Sequence, residues 1–277
     1  MQTGLYRPRT LGPREAEVIA WLETERPAVI DVTDVVEAIG VSREYARTLV
    51  SRLERKGWLQ RLTSGRYEPL LGSSGGWPAP DPWAVLDGWA RPYYVSFASA
   101  AHELGLTPDR PGEVQVATVT GAALPPRMAE MGVQLVRLRR LTLEGSEERV
   151  LHGHTVRVAT IERCLVDCAT HLDLAGGVLG LSRMLARAHE SAVDWDRVIE
   201  LAGALPRGGE AMRRIGALLE ILDLEIPAQF SEHTDGKRMR PIQLDTLRGS
   251  TGDGPMLDKW GVTLNVSPEA IREEVRR

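Results

Sequence analysis

The sequence predicts an α+β (mixed) protein with an N-terminal winged helix-turn-helix domain and a larger C-terminal mixed α/β domain. Three observations predict this class. Residues 1–71 contain helical patterns followed by a short basic hairpin pattern, residues 72–82 are rich in glycine, serine and proline, and residues 83–277 combine strand-length apolar runs with longer helical patterns. A chain of 277 residues is long enough for about two domains.

The composition excludes several classes of protein. A hydrophobic content of 43% and a charged content of 26% are ordinary for a soluble globular protein. No apolar run reaches the roughly 18 residues that a membrane span needs, and the amino terminus lacks the apolar core of a signal peptide. Two cysteines are too few for a disulfide framework. We therefore expect a cytoplasmic protein with no membrane partner.

Residues 13–25 predict the first helix of the N-terminal domain, with its apolar residues on one side. Residues 34–39 predict a short second helix capped by Thr33, and residues 40–41 form a tight turn that contains a glycine. A short helix, such a turn and a further helix make the order of a helix-turn-helix.

Residues 42–56 predict the helix that follows this turn, and its ends are well defined. Ser42 is a favoured N-cap, because its hydroxyl oxygen accepts a hydrogen bond from an N–H group of the first turn. Gly57 stands where a helix ends in a left-handed residue. The apolar stripe of this helix is formed by Ala46, Leu49, Val50 and Leu53. The opposite face offers arginine, serine and threonine, which suit the DNA major groove.

Residues 58–67 predict a β-hairpin, the wing, with its turn at residues 63–65. We expect Asp31 and Val32 to form a small strand that pairs with the wing. Between Ser42 and Arg66 there are seven basic and two acidic residues, a net charge of +5, whereas the whole chain carries −4. Positive charge is thus concentrated where phosphates would lie.

These patterns predict a DNA-binding surface on the helix of residues 42–56 and the wing. Beginning at the N-cap Ser42, we expect four residues to face bases or phosphates in the major groove, namely Arg43, Glu44, Arg47 and Thr48. We expect six others to contact the DNA backbone, namely Arg52, Arg55, Lys56, Arg61, Ser64 and Arg66. The alternatives are a merely solvated charged face and a winged helix that binds protein.

Residues 72–82 are expected to be a linker, because their glycines, serines and prolines cannot sustain a helix or a central strand. The larger domain follows. Its predicted helices are residues 83–90, 94–104, 161–171, 178–189, 194–204, 210–222 and 268–277, and its predicted strands are residues 113–119, 133–138, 149–151, 155–158, 241–245 and 261–266.

Four stretches of the larger domain resemble AbiEi-type antitoxins, which are winged-helix transcriptional regulators of abortive-infection and type IV toxin–antitoxin systems. They are YVSFASAAHELG at 94–105, ATIERCLVD at 159–167, RRIGALLE at 213–220 and WGVTLNV at 260–266. With the winged helix, the resemblance spans nearly the whole chain. It implies that the first domain represses its own operon at double-stranded DNA, and that the second assists repression and counteracts a nucleotidyltransferase toxin.

Enzyme chemistry has weak support in the sequence. Cys164, Cys168 and His171 recur on one face of a helix, but they lack the two-knuckle spacing of zinc sites, so we expect neither metal nor cofactor. Ser99 and His102 have the spacing of one helix face, and no Gly-x-Ser-x-Gly elbow is present. Phosphate-binding glycine motifs are absent as well. We expect a protein that is not an enzyme.

The leading hypothesis is a DNA-binding repressor that acts as the antitoxin of a bacterial operon. The first alternative is a ligand-responsive winged-helix regulator whose C-terminal domain binds a metabolite. A second alternative is a catalytic C-terminal domain that acts on nucleotides or nucleic acid. A stabilising small molecule would favour the first alternative, and metal-dependent turnover would favour the second.

Overall fold

The computed structural model describes residues 10–63, 65–71, 81–87, 89, 91–119, 126–191, 193–232, 240–248 and 254–276. The chain divides into two compact units. The first comprises Met1–Arg91, Ala123–Gly132 and Val150–Thr155, and the second comprises Pro92–Ala122, Val133–Arg149 and Val156–Arg277. The predicted linker, residues 72–82, lies almost wholly outside the described residues, so the predicted domain boundary stays a prediction.

The α+β class is confirmed, since helices and several small sheets share the chain. Within the described residues the helices are α1 (Pro13–Glu25), α2 (Val32–Ile39), α3 (Arg43–Arg55), α4 (Pro82–Leu86), α5 (Phe97–Glu103), α6 (Pro126–Glu130), α7 (Ile161–Thr170), α8 (Gly177–Glu190), α9 (Trp195–Gly203), α10 (Gly208–Ile221), α11 (Ala228–Glu232) and α12 (Pro268–Arg276). The strands are β1 (Leu59–Thr63), β2 (Arg66–Pro69), β3 (Tyr93–Val95), β4 (Val114–Val119), β5 (Val133–Leu138), β6 (Ser146–Leu151), β7 (His154–Ala159), β8 (Ile242–Gln243), β9 (Met256–Leu257) and β10 (Val262–Thr263). None of these helices is long and apolar enough to cross a membrane.

The first unit contains a winged helix-turn-helix. Helices α1, α2 and α3 pack on one another, and β1 pairs with β2 in an antiparallel hairpin. One apolar cluster joins these elements; its fully buried members are Val18, Ile19, Leu22, Ile30, Val35, Ala46, Leu49, Val50, Leu53, Leu59 and Tyr67. Burial of the predicted apolar stripe of α3 therefore sets which face of that helix remains open to solvent.

Two details near α2 differ from the predictions. The helix begins at Val32, and its N-cap is Asp31 rather than Thr33, because the Asp31 carboxylate accepts hydrogen bonds from the Thr33 and Asp34 N–H groups. The expected strand at Asp31 and Val32 is wrong for the same reason. Ile30 makes the bridge to the wing instead, through two backbone hydrogen bonds with Tyr67 of 2.9 Å each.

A five-stranded sheet has the order β5-β4-β3-β7-β6, and its strands β3, β4 and β5 lie wholly in the second unit. Strand β3 is antiparallel to β4 and parallel to β7, and β4 is parallel to β5. Helix α7 packs against α5, α8, α9 and α10. A smaller three-stranded sheet has the order β8-β10-β9. The predicted strands at 113–119, 133–138 and 155–158 correspond to observed elements, with ends that shift by a residue or two. The same holds for the helices predicted at residues 161–171, 178–189, 194–204, 210–222 and 268–277.

The largest error concerns residues 94–104, which the sequence predicts as one helix. Tyr93–Val95 form the central strand β3, and helix α5 begins at Phe97. Phe97 has φ 57°, a left-handed backbone conformation that breaks any helix continuing from the strand. The small residues that follow make the stretch resemble a helix, but burial of Tyr93 and Tyr94 between two neighbouring strands favours the sheet.

Other differences are smaller. Where the sequence predicts a helix at residues 83–90, the observed helix α4 ends at Leu86. The strand predicted at 149–151 begins earlier, at Ser146, and the strands predicted at 241–245 and 261–266 each shrink to two residues. The sequence missed α6, α11 and β9, which are short elements with little pattern of their own.

Candidate nucleic-acid interface

Helix α3 forms where the sequence predicts it, and its ends have the expected chemistry. The Ser42 hydroxyl oxygen accepts a hydrogen bond of 3.3 Å from the Tyr45 N–H. Gly57 has φ 73°, the left-handed conformation that ends the helix. The predicted site residue Ser42 therefore acts as a structural cap, and its hydroxyl oxygen is occupied by the backbone.

The four residues predicted to face the major groove are all exposed on α3. Thr48 uses its hydroxyl hydrogen within the helix, because Oγ1 donates to the Glu44 carbonyl oxygen at 3.2 Å. Arg43 and Arg47 make no ion pair or hydrogen bond with any side chain in the described part of the chain. Their guanidinium donors are thus available to a ligand.

The wing is fixed to α3 through Arg61. Its Nε and Nη2 donate to the two carboxylate oxygens of Glu54, at 3.1 and 3.0 Å. The guanidinium also lies over the Tyr67 ring, 5.2 Å from its centroid. Hydrogen bonding to Glu54 raises the pKa of Arg61. A bidentate pair of this kind orients the wing, but it also neutralises a charge that the sequence assigned to DNA.

The second wing arginine, Arg66, also has an acidic neighbour. Its Nη2 lies 3.4 Å from Asp87 Oδ1, and Asp87 Oδ2 lies 3.6 Å from His154 Nδ1. All three residues belong to the first unit. Ser64, the remaining predicted wing contact, lies outside the described residues.

Four arginines meet in a cleft of about 530 Å³ between α3 and the wing, which we call the wing cleft. It is lined by Asp31, Val32, Thr33, Arg43, Arg47, Ser51, Arg61, Gly65, Arg66 and Tyr67. Asp31 is the acidic residue of this lining, and its carboxylate is already occupied by the cap of α2. The wing cleft is therefore a concave surface whose two unpaired arginines, Arg43 and Arg47, match phosphates or the acceptor edge of a guanine.

The three remaining predicted contacts lie elsewhere on α3. Arg52 is exposed, and Arg55 Nε donates to the Ser51 carbonyl oxygen at 3.4 Å. Lys56 is engaged within the domain: its Nζ donates to Glu15 Oε2 at 2.5 Å and to the Thr10 carbonyl oxygen at 3.0 Å. The structure thus separates Arg52, Arg55 and Lys56 from the wing cleft.

The cysteine and histidine residues considered for zinc do not converge. Cys164 and Cys168 are fully buried, and the Cys164 thiol donates to the Phe97 carbonyl oxygen at 3.4 Å. The His171 ring lies edge-on to the Phe97 ring, with centroids 5.6 Å apart. No group of three or more His, Cys, Asp or Glu side chains in the described parts of the chain is placed to hold a metal ion.

Ser99, which was considered for hydrolysis, is held by the backbone, because its hydroxyl donates to the Glu113 carbonyl oxygen and accepts from the Gln115 N–H. Other polar side chains form a buried structural network in the second unit. Arg163 Nε donates to Asp167 Oδ1 at 3.0 Å, and Arg163 Nη1 donates to the Glu144 carbonyl oxygen at 3.0 Å. Tyr94 OH and Ser96 Oγ both donate to Asp167 Oδ2, at 3.0 and 2.8 Å. Burial raises the pKa of Tyr94 far above its ordinary value. These polar groups therefore satisfy one another's hydrogen bonds.

Comparison with solved structures finds a neighbour with a similar fold. No protein-family model matches the chain. No match is found among curated proteins. The fold is similar to that in the crystal structure of the RV2827C protein from Mycobacterium tuberculosis, with 18% identity, a match over 97% of each chain and a TM-score of 0.65. At this identity the likeness shows a shared fold.

Proposed function

We propose that this chain is a cytoplasmic DNA-binding transcriptional repressor and that it serves as the antitoxin of a toxin–antitoxin operon. The observation that carries the DNA-binding part is the wing cleft, where four arginines surround a concave surface. Two of these arginines, Arg43 and Arg47, have no carboxylate partner among the described residues. DNA is a partner whose charge and groove shape such a surface fits.

In this proposal α3 lies in the major groove of double-stranded DNA. The guanidinium groups of Arg43 and Arg47 donate to a guanine edge or to phosphates, and the wing arginines Arg61 and Arg66 lie beside one backbone. Glu44 is exposed on the same face of α3 and accepts from a cytosine amino group if it faces a base.

The antitoxin part of the proposal is supported by the resemblance of residues 94–105, 159–167, 213–220 and 260–266 to AbiEi-type antitoxins. Those four stretches belong to the second unit, whereas α3 belongs to the first. The second unit would then counteract a nucleotidyltransferase toxin, with or without a stable complex, while the winged helix controls the shared promoter.

The DNA-binding part is tested by fluorescence anisotropy with the duplex upstream of the chain's own gene and with a scrambled duplex of equal length. We expect tighter binding to the upstream duplex, and we expect affinity for both to fall steeply as salt rises, since phosphate contacts release counterions. Arg47→Ala should weaken binding, whereas the exposed Arg26→Gln, outside both α3 and the wing, is a matched control. Absence of binding to either duplex would make the winged helix a protein-interaction module.

The antitoxin part requires a separate test. A nucleotidyltransferase encoded beside the gene would be expressed with and without this chain, and growth would be followed. We expect the chain to relieve growth arrest, and Arg47→Ala to lose promoter repression while it still relieves the arrest. Failure to relieve arrest at equal protein levels would contradict the antitoxin role and leave the repressor role intact.

A further inference from the structure

A second basic cleft borders α3, formed with the start of α1. We call it the α1–α3 groove. It has a volume of about 640 Å³ and is lined by Gly12, Pro13, Arg14, Glu15, Tyr45, Leu49, Arg52, Arg55 and Lys56. All of these residues belong to the first unit. Of the four basic residues in this lining, Arg14 comes from α1, a helix that the sequence does not predict to contact DNA.

The two clefts lie along different sides of α3. An α-helix turns by about 100° per residue, so Arg43, Arg47 and Ser51 form one row, which lines the wing cleft. Tyr45 and Arg52 lie about 180° around the helix from Arg43 and line the α1–α3 groove. The open face between the two rows carries Glu44 and Thr48, and Arg55 lies at its edge, where it also lines the α1–α3 groove. A helix with this arrangement has one positive cleft on each flank.

Glu15, the acidic residue of the α1–α3 groove, does not repel a bound anion, because its charge is paired with Lys56. Glu15 is only 4% exposed, and its carboxylate accepts from the Gly12 N–H at 2.7 Å and from Lys56 Nζ at 2.5 Å. Burial alone would raise the pKa of Glu15, but these hydrogen bonds outweigh it, and the pKa is lowered. Glu15 and Lys56 thus neutralise each other, and the groove keeps the charges of Arg14, Arg52 and Arg55.

Two of those arginines are open to a new partner. Arg52 is exposed and has no ion pair within the described residues. Arg14 pairs with Glu17 at 2.6 Å, but both side chains are about half exposed, and such surface pairs yield readily to a stronger partner. Tyr45 is 38% exposed at the same groove, so its hydroxyl can donate to an oxyanion.

We infer that the α1–α3 groove seats phosphates of the DNA strand opposite the one that the wing contacts. This inference rests on the proposed DNA binding. A helix in the major groove, which is about 12 Å wide, has the backbone of one strand along each flank. The wing cleft and the α1–α3 groove occupy those two flanks. Arg14, Tyr45 and Arg52 are therefore phosphate-positioning residues, and Lys56 is a structural residue that holds Glu15.

The first test measures the salt dependence of binding for the full-length chain with the upstream and scrambled duplexes. For the double variant Arg14→Gln, Arg52→Gln, we expect the slope of log affinity against log salt to fall by about 1.8, since each phosphate contact contributes roughly 0.9. The loss should be equal for both duplexes, because phosphate contacts carry no sequence information. Arg26→Gln should leave the slope unchanged. An unchanged slope in the double variant would overturn the inference.

The second test needs no variant. Phosphate ethylation interference on the wild-type complex should identify blocked phosphates on both strands flanking the major groove that α3 enters. Interference confined to one strand would overturn the inference while the proposed DNA binding stands. Failure of the chain to bind either duplex would overturn both the inference and the proposed DNA binding. A thermal shift with inorganic phosphate that depends on Arg52, together with an unchanged DNA salt slope, would assign the groove to a small phosphate ligand instead.

Discussion

Arg61 of the wing and Glu54 of α3 form a two-point ion pair, with Nε–Oε1 and Nη2–Oε2 distances of 3.1 and 3.0 Å. The pair joins the hairpin to the helix that it flanks. It also means that the five net positive charges of residues 42–66 are not equally available to DNA. Arg61 has an acidic partner, whereas Arg43, Arg47 and Arg52 have none in the described part of the chain.

Arg47→Ala should therefore weaken DNA binding more than Arg61→Ala. We expect Arg47→Ala to cost about 1–3 kcal/mol and to change the preferred sequence if Arg47 contacts a guanine. Arg61→Ala should cost less than about 1 kcal/mol, because Glu54 already offsets its charge. Anisotropy titrations at one salt concentration, with upstream and scrambled duplexes, measure both. Equal losses for the two variants would show that DNA displaces Glu54 from Arg61.

Asp87→Asn should strengthen DNA binding. Asp87 lies 3.4 Å from Arg66 at the wing, and removing its negative charge leaves the guanidinium free to contact a phosphate. We expect a gain in affinity of a few-fold and a steeper salt dependence, by up to about 0.9 in the log–log slope. Glu23→Gln, an exposed carboxylate of α1 outside both clefts, is the matched control. Weaker binding by Asp87→Asn would show that the pair orients Arg66 for DNA.

Glu15→Gln should destabilise the first unit in a pH-dependent manner. The pKa of Glu15 is lowered in the folded chain, so its stabilising contribution is present above the ordinary glutamate pKa of about 4.3 and is lost as pH falls through the lowered value. We expect a cost of about 1–2 kcal/mol at pH 7 that shrinks below about pH 4.

Thermal unfolding of both proteins across pH 3–8 checks this expectation. Glu17→Gln removes the exposed partner of Arg14 and should change stability by less than about 0.5 kcal/mol at any pH. A constant difference between wild type and Glu15→Gln over the whole range would contradict the proposed ionic role of Glu15.

Asp167→Ala should strongly destabilise the second unit. Arg163 and Asp167 are buried, and the substitution leaves Arg163 Nε, the Tyr94 hydroxyl and the Ser96 hydroxyl without their acceptor and the Arg163 charge without its carboxylate. Loss of one partner of a buried ion pair costs about 3–5 kcal/mol. Calorimetry measures the loss in the free energy of unfolding. Glu147→Ala breaks the exposed pair with Arg149 and should cost at most about 1 kcal/mol, so similar losses for both variants would contradict the argument.

The sequence by itself determined the elements whose signals are local. The N-cap at Ser42, the apolar stripe of α3 and the left-handed glycine at Gly57 all lie within one helix or within two residues of its ends. The wing follows directly and is held by pairing between adjacent strands. Interactions between residues close in the chain leave a pattern that propensity and periodicity can detect, and the same pattern identifies the exposed arginines of α3.

Only the tertiary structure decided which of those arginines are free. Lys56 meets Glu15 across 41 positions of the chain, and Arg66 meets Asp87 beyond the end of the hairpin. No local pattern encodes such pairs, so the sequence could not show that Lys56 and Arg66 already have acidic neighbours. Strand β3 was missed for a related reason: its partners, β4 and β7, lie later in the chain, and their pairing overrides the local helical pattern of residues 94–104.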